Sequence, residues 1–146
     1  MNERSVVVYE KTGKWAAAIR RVLRPESGLC ETRSWPACLQ ELRARTAALV
    51  AVEVLPDNAE AVCRRLAELA KRSRHVHAIL LADRSLQKVE WLLREAGAVH
   101  VLFSPRDIVR IRPMWERFGA QIPPSRMTFR EHVWSRLPWA RRASGE

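Results

Sequence analysis

The chain has 146 residues, 47% of them hydrophobic and 7% aromatic, and its 26 Lys plus Arg against 16 Asp plus Glu give a formal net charge of +10. That length suits one domain with an appendage and is enough to bury a core. No apolar stretch approaches the roughly 18 residues that would cross a membrane, and Met1-Asn2-Glu3-Arg4-Ser5 has no signal-peptide shape, so a cytoplasmic protein without membrane attachment is expected.

The first predicted element is a strand over Ser5-Val6-Val7-Val8-Tyr9, ending at Glu10. Thr12 and Gly13 offer a helix start, and Trp15, Ala18, Ile19, Val22 and Leu23 follow at helical spacing, with Arg20, Arg21 and Arg24 opposite. Leu29-Cys30-Glu31-Thr32 is a weak edge strand. Ser34 caps a second helix, with Pro36 in its first turn and Cys38, Leu39 and Leu42 inward. Trp15 and Trp35 open these two helices and are expected to be partly exposed.

Ala48 to Val54 is the central strand: a continuous apolar run broken by Glu53 and closed by Pro56-Asp57-Asn58. A charge at the end of a buried strand is costly unless it reaches the rim. Glu53 is therefore expected at the carboxyl edge of the sheet, solvated or paired with an arginine. A third helix presents Ala59, Val62, Cys63, Leu66, Leu69 and Ala70. A fourth strand runs over His77-Ala78-Ile79-Leu80-Leu81-Ala82. Ser85 starts a fourth helix with Leu86, Val89, Leu92, Leu93 and Ala96 on its stripe and Gly97 at the left-handed cap position. Val99 to Phe103 is a fifth strand. Ser104-Pro105 opens a last helix, with Ile108, Ile111, Trp115 and Phe118 inward and Pro113 kinking or shortening it.

Strands alternating with helices through short loops imply right-handed crossovers and a parallel sheet covered on both faces. The expected fold is a flavodoxin-like, doubly wound five-stranded α/β sandwich over residues 1–120. Ligands of such folds bind beyond the carboxyl ends of the strands at the switch point, which lies between the first and third strands here. Glu10 and Glu53 would then face one crevice. Residues 121–146 read as a linker, Ile122-Pro123-Pro124-Ser125, and a basic tail in which Phe129, Val133, Trp134 and Trp139 alternate with Arg130 and Arg136.

The chemistry-bearing motifs are sparse. Cys30, Cys38 and Cys63 fit neither a disulfide framework nor CxxC spacing, so free thiols are expected. His75, His77, His100 and His132 show no metal-ligand spacing. There is no glycine-rich phosphate loop and no GxSxG elbow. No catalytic residue, metal or cofactor is expected, and the chain does not read as an enzyme. The basic balance serves nucleic acid, an acidic protein partner, or solubility alone.

Three stretches resemble the receiver domain of bacterial response regulators, a similarity covering roughly Ser5 to Phe118. Leu49 to Asp57 resembles the segment that carries the phosphorylated aspartate. Trp91-Leu92-Leu93-Arg94-Glu95-Ala96-Gly97-Ala98 resembles the end of the fourth receiver helix, and Phe103-Ser104-Pro105 resembles the Lys-Pro junction after the fifth strand. The resemblance implies that Glu53 stands at the phosphoacceptor position, Tyr9 and Glu10 at the acidic pair, Ala82 at the hydroxyl position, and Ser104 before Pro105 at the lysine position. Glu53 lies one residue closer to its proline than the receiver pattern has it.

Each departure removes a function. One or two glutamates hold Mg²⁺ poorly, because that ion demands close octahedral oxygens. Ala82 cannot hydrogen-bond a phosphoryl oxygen, and Ser104 brings no positive charge. The expectation is an atypical receiver-like domain that acts in signalling by phosphorylation-independent protein–protein contact. The resemblance places the partner or self-association surface on the fourth and fifth helices, where Trp91, Arg94, Arg106, Arg110 and Arg112 fall, and Trp134 and Trp139 of the tail are further docking candidates. The alternative is a nucleic-acid-binding module using the Arg-rich last helix and tail. A phosphorelay receiver still phosphorylated by an unusual route is the third reading.

Overall fold

All eight residues of the strand Ala47–Val54 are buried, which requires a covering layer on each face of the sheet it occupies. The computed structural model describes residues 4–23, 28–45, 47–72 and 75–121, together with Val133. In chain order its elements are β1 (Arg4–Tyr9), α1 (Lys14–Val22), β2 (Leu29–Thr32), α2 (Trp35–Arg43), β3 (Ala47–Val54), α3 (Ala59–Arg72), β4 (Val76–Ala82), α4 (Glu90–Glu95), β5 (Ala98–Leu102) and α5 (Ile111–Gln121). Two 3₁₀ segments, Arg84–Val89 and Pro105–Arg110, lead into α4 and α5. The sheet is parallel throughout, in the order β2-β1-β3-β4-β5. This is the doubly wound, flavodoxin-like arrangement, and its switch point falls between β1 and β3.

Strand alternation sorts the core into two layers. On one face Val6, Val8, Leu49, Ala51, Ile79, Leu81 and Leu102 pack against Trp15 and Ile19 of α1 and Ile111, Trp115 and Phe118 of α5. On the other, Val7, Val50, Val52, Leu80 and Val101 pack against Cys38 and Leu42 of α2, Val62 and Leu66 of α3, and Leu93 of α4. Ser34 caps α2 through its hydroxyl, which accepts from Ala37 N at 3.3 Å. Gly97, with φ +119°, takes the left-handed position after α4 that only glycine adopts without strain.

The expected stripes need four corrections. Trp15 is only 3% exposed: it is the second residue of α1 and turns under the helix into the core, while Trp35 is half-buried, edge-on to Tyr9 and beneath the Arg65 guanidinium. Leu39 is only half-buried and Ala70 is exposed. Leu92 is 46% exposed: it stands about 100° around α4 from Leu93, and Leu93, with Leu86 before it, is the residue that faces the core. The last helix, like α4, follows a 3₁₀ segment: the α-helical part begins at Ile111, so Pro113 sits in its first turn, where its missing N–H costs nothing.

Among the described residues no helix is long and apolar enough to cross a membrane. The three cysteines are free. Burial raises the Cys38 thiol to about 11, so at neutral pH it is a protonated core group.

The phase of α4 gives a paired prediction. Leu93→Ala should cost about 2–5 kcal/mol of unfolding free energy by the cavity it leaves, and Leu92→Ala less than about 0.5 kcal/mol, as read from urea midpoints. A pH prediction follows from His77, whose ring lies 5.0 Å from that of Phe118. Burial, aided by His75, holds this imidazole below its ordinary value of 6.5. A depressed histidine contributes its stability fully above the unfolded value and loses it as pH falls through the lower folded value. Stability should therefore decline from pH 7 towards pH 5, with a shallower slope in His77→Phe.

Candidate functional site

The carboxyl edges of β1, β3, β4 and β5 meet the amino end of α1, and this is where the receiver-like positions gather. Gly13 precedes α1 with φ +87° and has no side chain with which to cap it. Glu10 does so from the end of β1: Oε2 accepts from Trp15 N at 3.0 Å and Oε1 from Ala16 N at 2.8 Å. The side chain is otherwise enclosed, the residue being 1% exposed. Two charge-assisted bonds at the positive end of a helix hold a carboxylate in place of solvent. Arg33 secures the turn from outside: Nη1 donates to Glu10 O at 3.3 Å and lies 3.9 Å from Oε1, while Nη2 pairs with Glu31 at 3.0 Å. A Cβ on Gly13 would stand 2.9 Å from Arg33 Nη2.

Glu53 is the penultimate residue of β3, opposite Leu81 of β4. Among the described residues it is neither solvated at a rim nor paired with an arginine, contrary to the sequence expectation. It is 4% exposed, and among the described residues its hydrogen-bond donor is Lys11 N, at 3.3 Å. The loop after β1 thus closes over Glu53. Glu10 and Glu53 do not converge on a shared point: one carboxylate turns into α1 and the other stays under the loop. Among the described residues no group of three or more His, Cys, Asp or Glu side chains is placed to hold a metal ion.

A cleft of about 230 Å³ remains beside Glu53, bordered by Lys14, Leu55, Ala82, Asp83, Arg84, Phe103 and Pro105, among others. Ala82 ends β4 at 2% exposure and brings only a methyl group. Asp83 is engaged as a cap, accepting from Ser85 N at 2.9 Å and Ser85 Oγ at 2.7 Å, bonds that hold its carboxyl below the usual range. Ser104 does not border the cleft; its hydroxyl caps the 3₁₀ segment by accepting from Arg106 N at 3.3 Å. Tyr9 faces away and packs edge-on against Trp35. At this edge Glu10, Asp83 and Ser104 are thus committed to capping their own helical segments, while Lys14 and Arg84 border the cleft.

A second feature lies at the β5 edge of the sheet. Among the described residues of the α/β body, the large apolar side chains left exposed are Trp91 and Leu92 on α4, Val99 on β5 and Val109 on the following 3₁₀ segment, at 62%, 46%, 47% and 63%. Val99 owes its position to a register slip: Ala78 pairs with Ala98 but Ile79 pairs with His100, so Val99 is the extra residue and turns out. Sequence reasoning found Trp91 but missed Leu92, Val99 and Val109. Nothing in the local pattern separates Val99 from Val101; only the slip does. Arg94 pairs with Glu90 at 2.9 Å, and Arg106, Arg110 and Arg112 are exposed alongside. The tail residues Trp134 and Trp139 lie outside the described residues.

No protein-family model matches the chain, and no curated protein matches it. Among solved structures it is similar to a CheY-like protein, TadZ, from Pseudomonas aeruginosa PAO1, with a TM-score of 0.67 and 13% sequence identity, covering 85% of this chain and 98% of that one. At that identity the likeness shows the fold: this chain has a CheY-like, receiver-like α/β fold.

The Glu10 cap yields a prediction. Glu10→Ala should lower stability by about 1–3 kcal/mol, because two buried N–H groups lose their acceptor. Glu10→Gln, which keeps one acceptor oxygen, should lose less. Millimolar Mg²⁺ should leave the melting temperature of the unmodified chain unchanged in calorimetry.

Proposed function

We propose that this chain is a receiver-like signalling domain that works by docking to another protein, without phosphorylation and without enzymatic activity of its own. The observation that carries the reading is the fate of the Glu10 carboxylate. In the position where a receiver needs a free acid for a divalent cation, this carboxylate spends both oxygens on Trp15 N and Ala16 N. Glu53 cannot recruit the ion alone, and neither Ala82 nor Ser104 supports a phosphoryl group at this edge. What the fold leaves available is a surface, where Trp91, Leu92, Val99 and Val109 give an apolar patch with arginines beside it. Tryptophan and arginine are the side chains that most often dominate protein interfaces.

A nucleic-acid module is the second reading, favoured by the net charge of +10 and by the exposure of Arg106, Arg110 and Arg112. The two readings part on salt. Phosphate-driven binding to duplex DNA or single-stranded RNA falls linearly on a log–log plot against salt, whereas a contact anchored by tryptophan is much less sensitive.

Two measurements test the proposal. Intact-mass analysis after incubation with acetyl phosphate and Mg²⁺ should show the unmodified mass; a stable adduct on Glu53 would overturn the phosphorylation-independent reading. Fluorescence anisotropy should detect no nucleic-acid binding at physiological salt, and a steep salt-dependent complex would move the function to the second reading.

A further inference from the structure

One oxygen of the Glu53 carboxylate is bonded and the other is not. Oε1 accepts from Lys11 N at 3.3 Å, and Oε2 accepts nothing among the described residues. A carboxylate offers about four acceptor sites, and a buried charge is unfavourable unless it is paired. Glu53 is 4% exposed, yet Oε2 is not sealed: among the described residues the side-chain polar atoms both enclosed and unpartnered are Ser5 Oγ and His100 Nε2. The opening that Oε2 reaches is the cleft, which Glu53 borders.

The rest of the cleft sorts by polarity. Leu55, Leu81, Ala82, Phe103 and Pro105 give it apolar walls. Lys14 and Arg84 border it as exposed cations, and neither forms an ion pair among the described residues. Asp83 is the fourth charged group; its Oδ1 holds Ser85, and the Lys14 charge helps to keep its carboxyl below the usual range. Two cations and two carboxylates thus share one border. Glu53 repels a simple anion, and Lys14 and Arg84 repel a simple cation. A ligand that carries both charges on neighbouring atoms is opposed by neither. The volume of about 230 Å³ falls below the roughly 300–1,000 Å³ of sites for drug-sized ligands, which sets the ligand at the size of a small metabolite.

We propose that this cleft binds a free apolar α-amino acid, whose ammonium donates to Glu53 Oε2, whose carboxylate pairs with Lys14 and Arg84, and whose side chain lies along Leu55, Phe103 and Pro105. The chemistry is neither that of a metal ion nor that of a phosphoryl group. The inference stands apart from the protein-docking reading, since it concerns the carboxyl edge of the sheet and holds whether or not a partner binds the apolar patch.

The experiment is isothermal titration calorimetry of the full chain with L-leucine and with two analogues, 3-methylbutylamine, which lacks the carboxylate, and 4-methylpentanoate, which lacks the amine. L-Leucine should bind saturably, and each analogue about tenfold more weakly or worse. L-Glutamate and L-lysine, which place a charge on the side chain, should also bind more weakly than L-leucine. Glu53→Gln should weaken leucine and the amine alike, by about tenfold or more. Arg84→Gln should weaken leucine and leave the amine unchanged; lying at the exposed rim, it carries the test if the Glu53 variant does not fold. No saturable leucine binding at about 10 mM, or equal affinity for leucine and 4-methylpentanoate, would overturn the site. Tighter binding of L-glutamate or L-lysine would overturn the apolar side chain. Leucine affinity unchanged in both variants would place the ligand elsewhere and overturn the cleft.

Discussion

A strand buried on both faces has only its ends to offer, and β3 imposes that constraint on the whole molecule. Its eight residues are covered by α1 and α5 on one side and by α2, α3 and α4 on the other. The parallel crossovers that build such a layer return every loop of chemical interest to one edge. Glu10, Glu53, Ala82 and Ser104 are brought together by topology before any of them does anything. What each does there is then a local matter, and locally each has been put to structural use.

Glu10 shows how a binding edge becomes a supporting one. Where a helix starts at a glycine with no capping side chain, its first N–H groups need an acceptor. The nearest carboxylate is that of Glu10, whose side chain reaches back onto Trp15 N and Ala16 N, and Arg33 ties the same turn to β2 through Glu31. The β1–α1 loop settles low enough for Lys11 N to reach Glu53. The Glu10 carboxylate is thus committed to α1, and the loop that it anchors covers Glu53 from one side while the cleft lies on another.

The fold was legible because its signals are redundant. β2 coincides with the weak run Leu29–Thr32, Ser34 and Gly97 mark their helix ends, and the alternation of elements leaves few topologies open. The candidate site was legible in identity but not in direction. That Glu10 and Glu53 share an edge follows from strand order, whereas their turning apart depends on a glycine lacking a cap two residues before Trp15. Leu92 lies at the margin of its stripe, one helical step from Leu93, and Val99 was lost to register. A one-residue slip reverses the side a residue faces without changing any residue type, so a periodicity argument passes over it.

That slip also bears on where the exposed surface lies. β5 is an edge strand, and an edge invites pairing unless its backbone is disturbed. The slip at Val99 disturbs it and at the same time turns an apolar side chain outward. Leu92 turns out of α4 beside Trp91. Each feature alone removes burial from a small domain that has little to spare. Trp91, Leu92, Val99 and Val109 are withheld from the core at α4, β5 and the 3₁₀ segment before α5, and the docking reading proposed above accounts for that cost by assigning them to a partner.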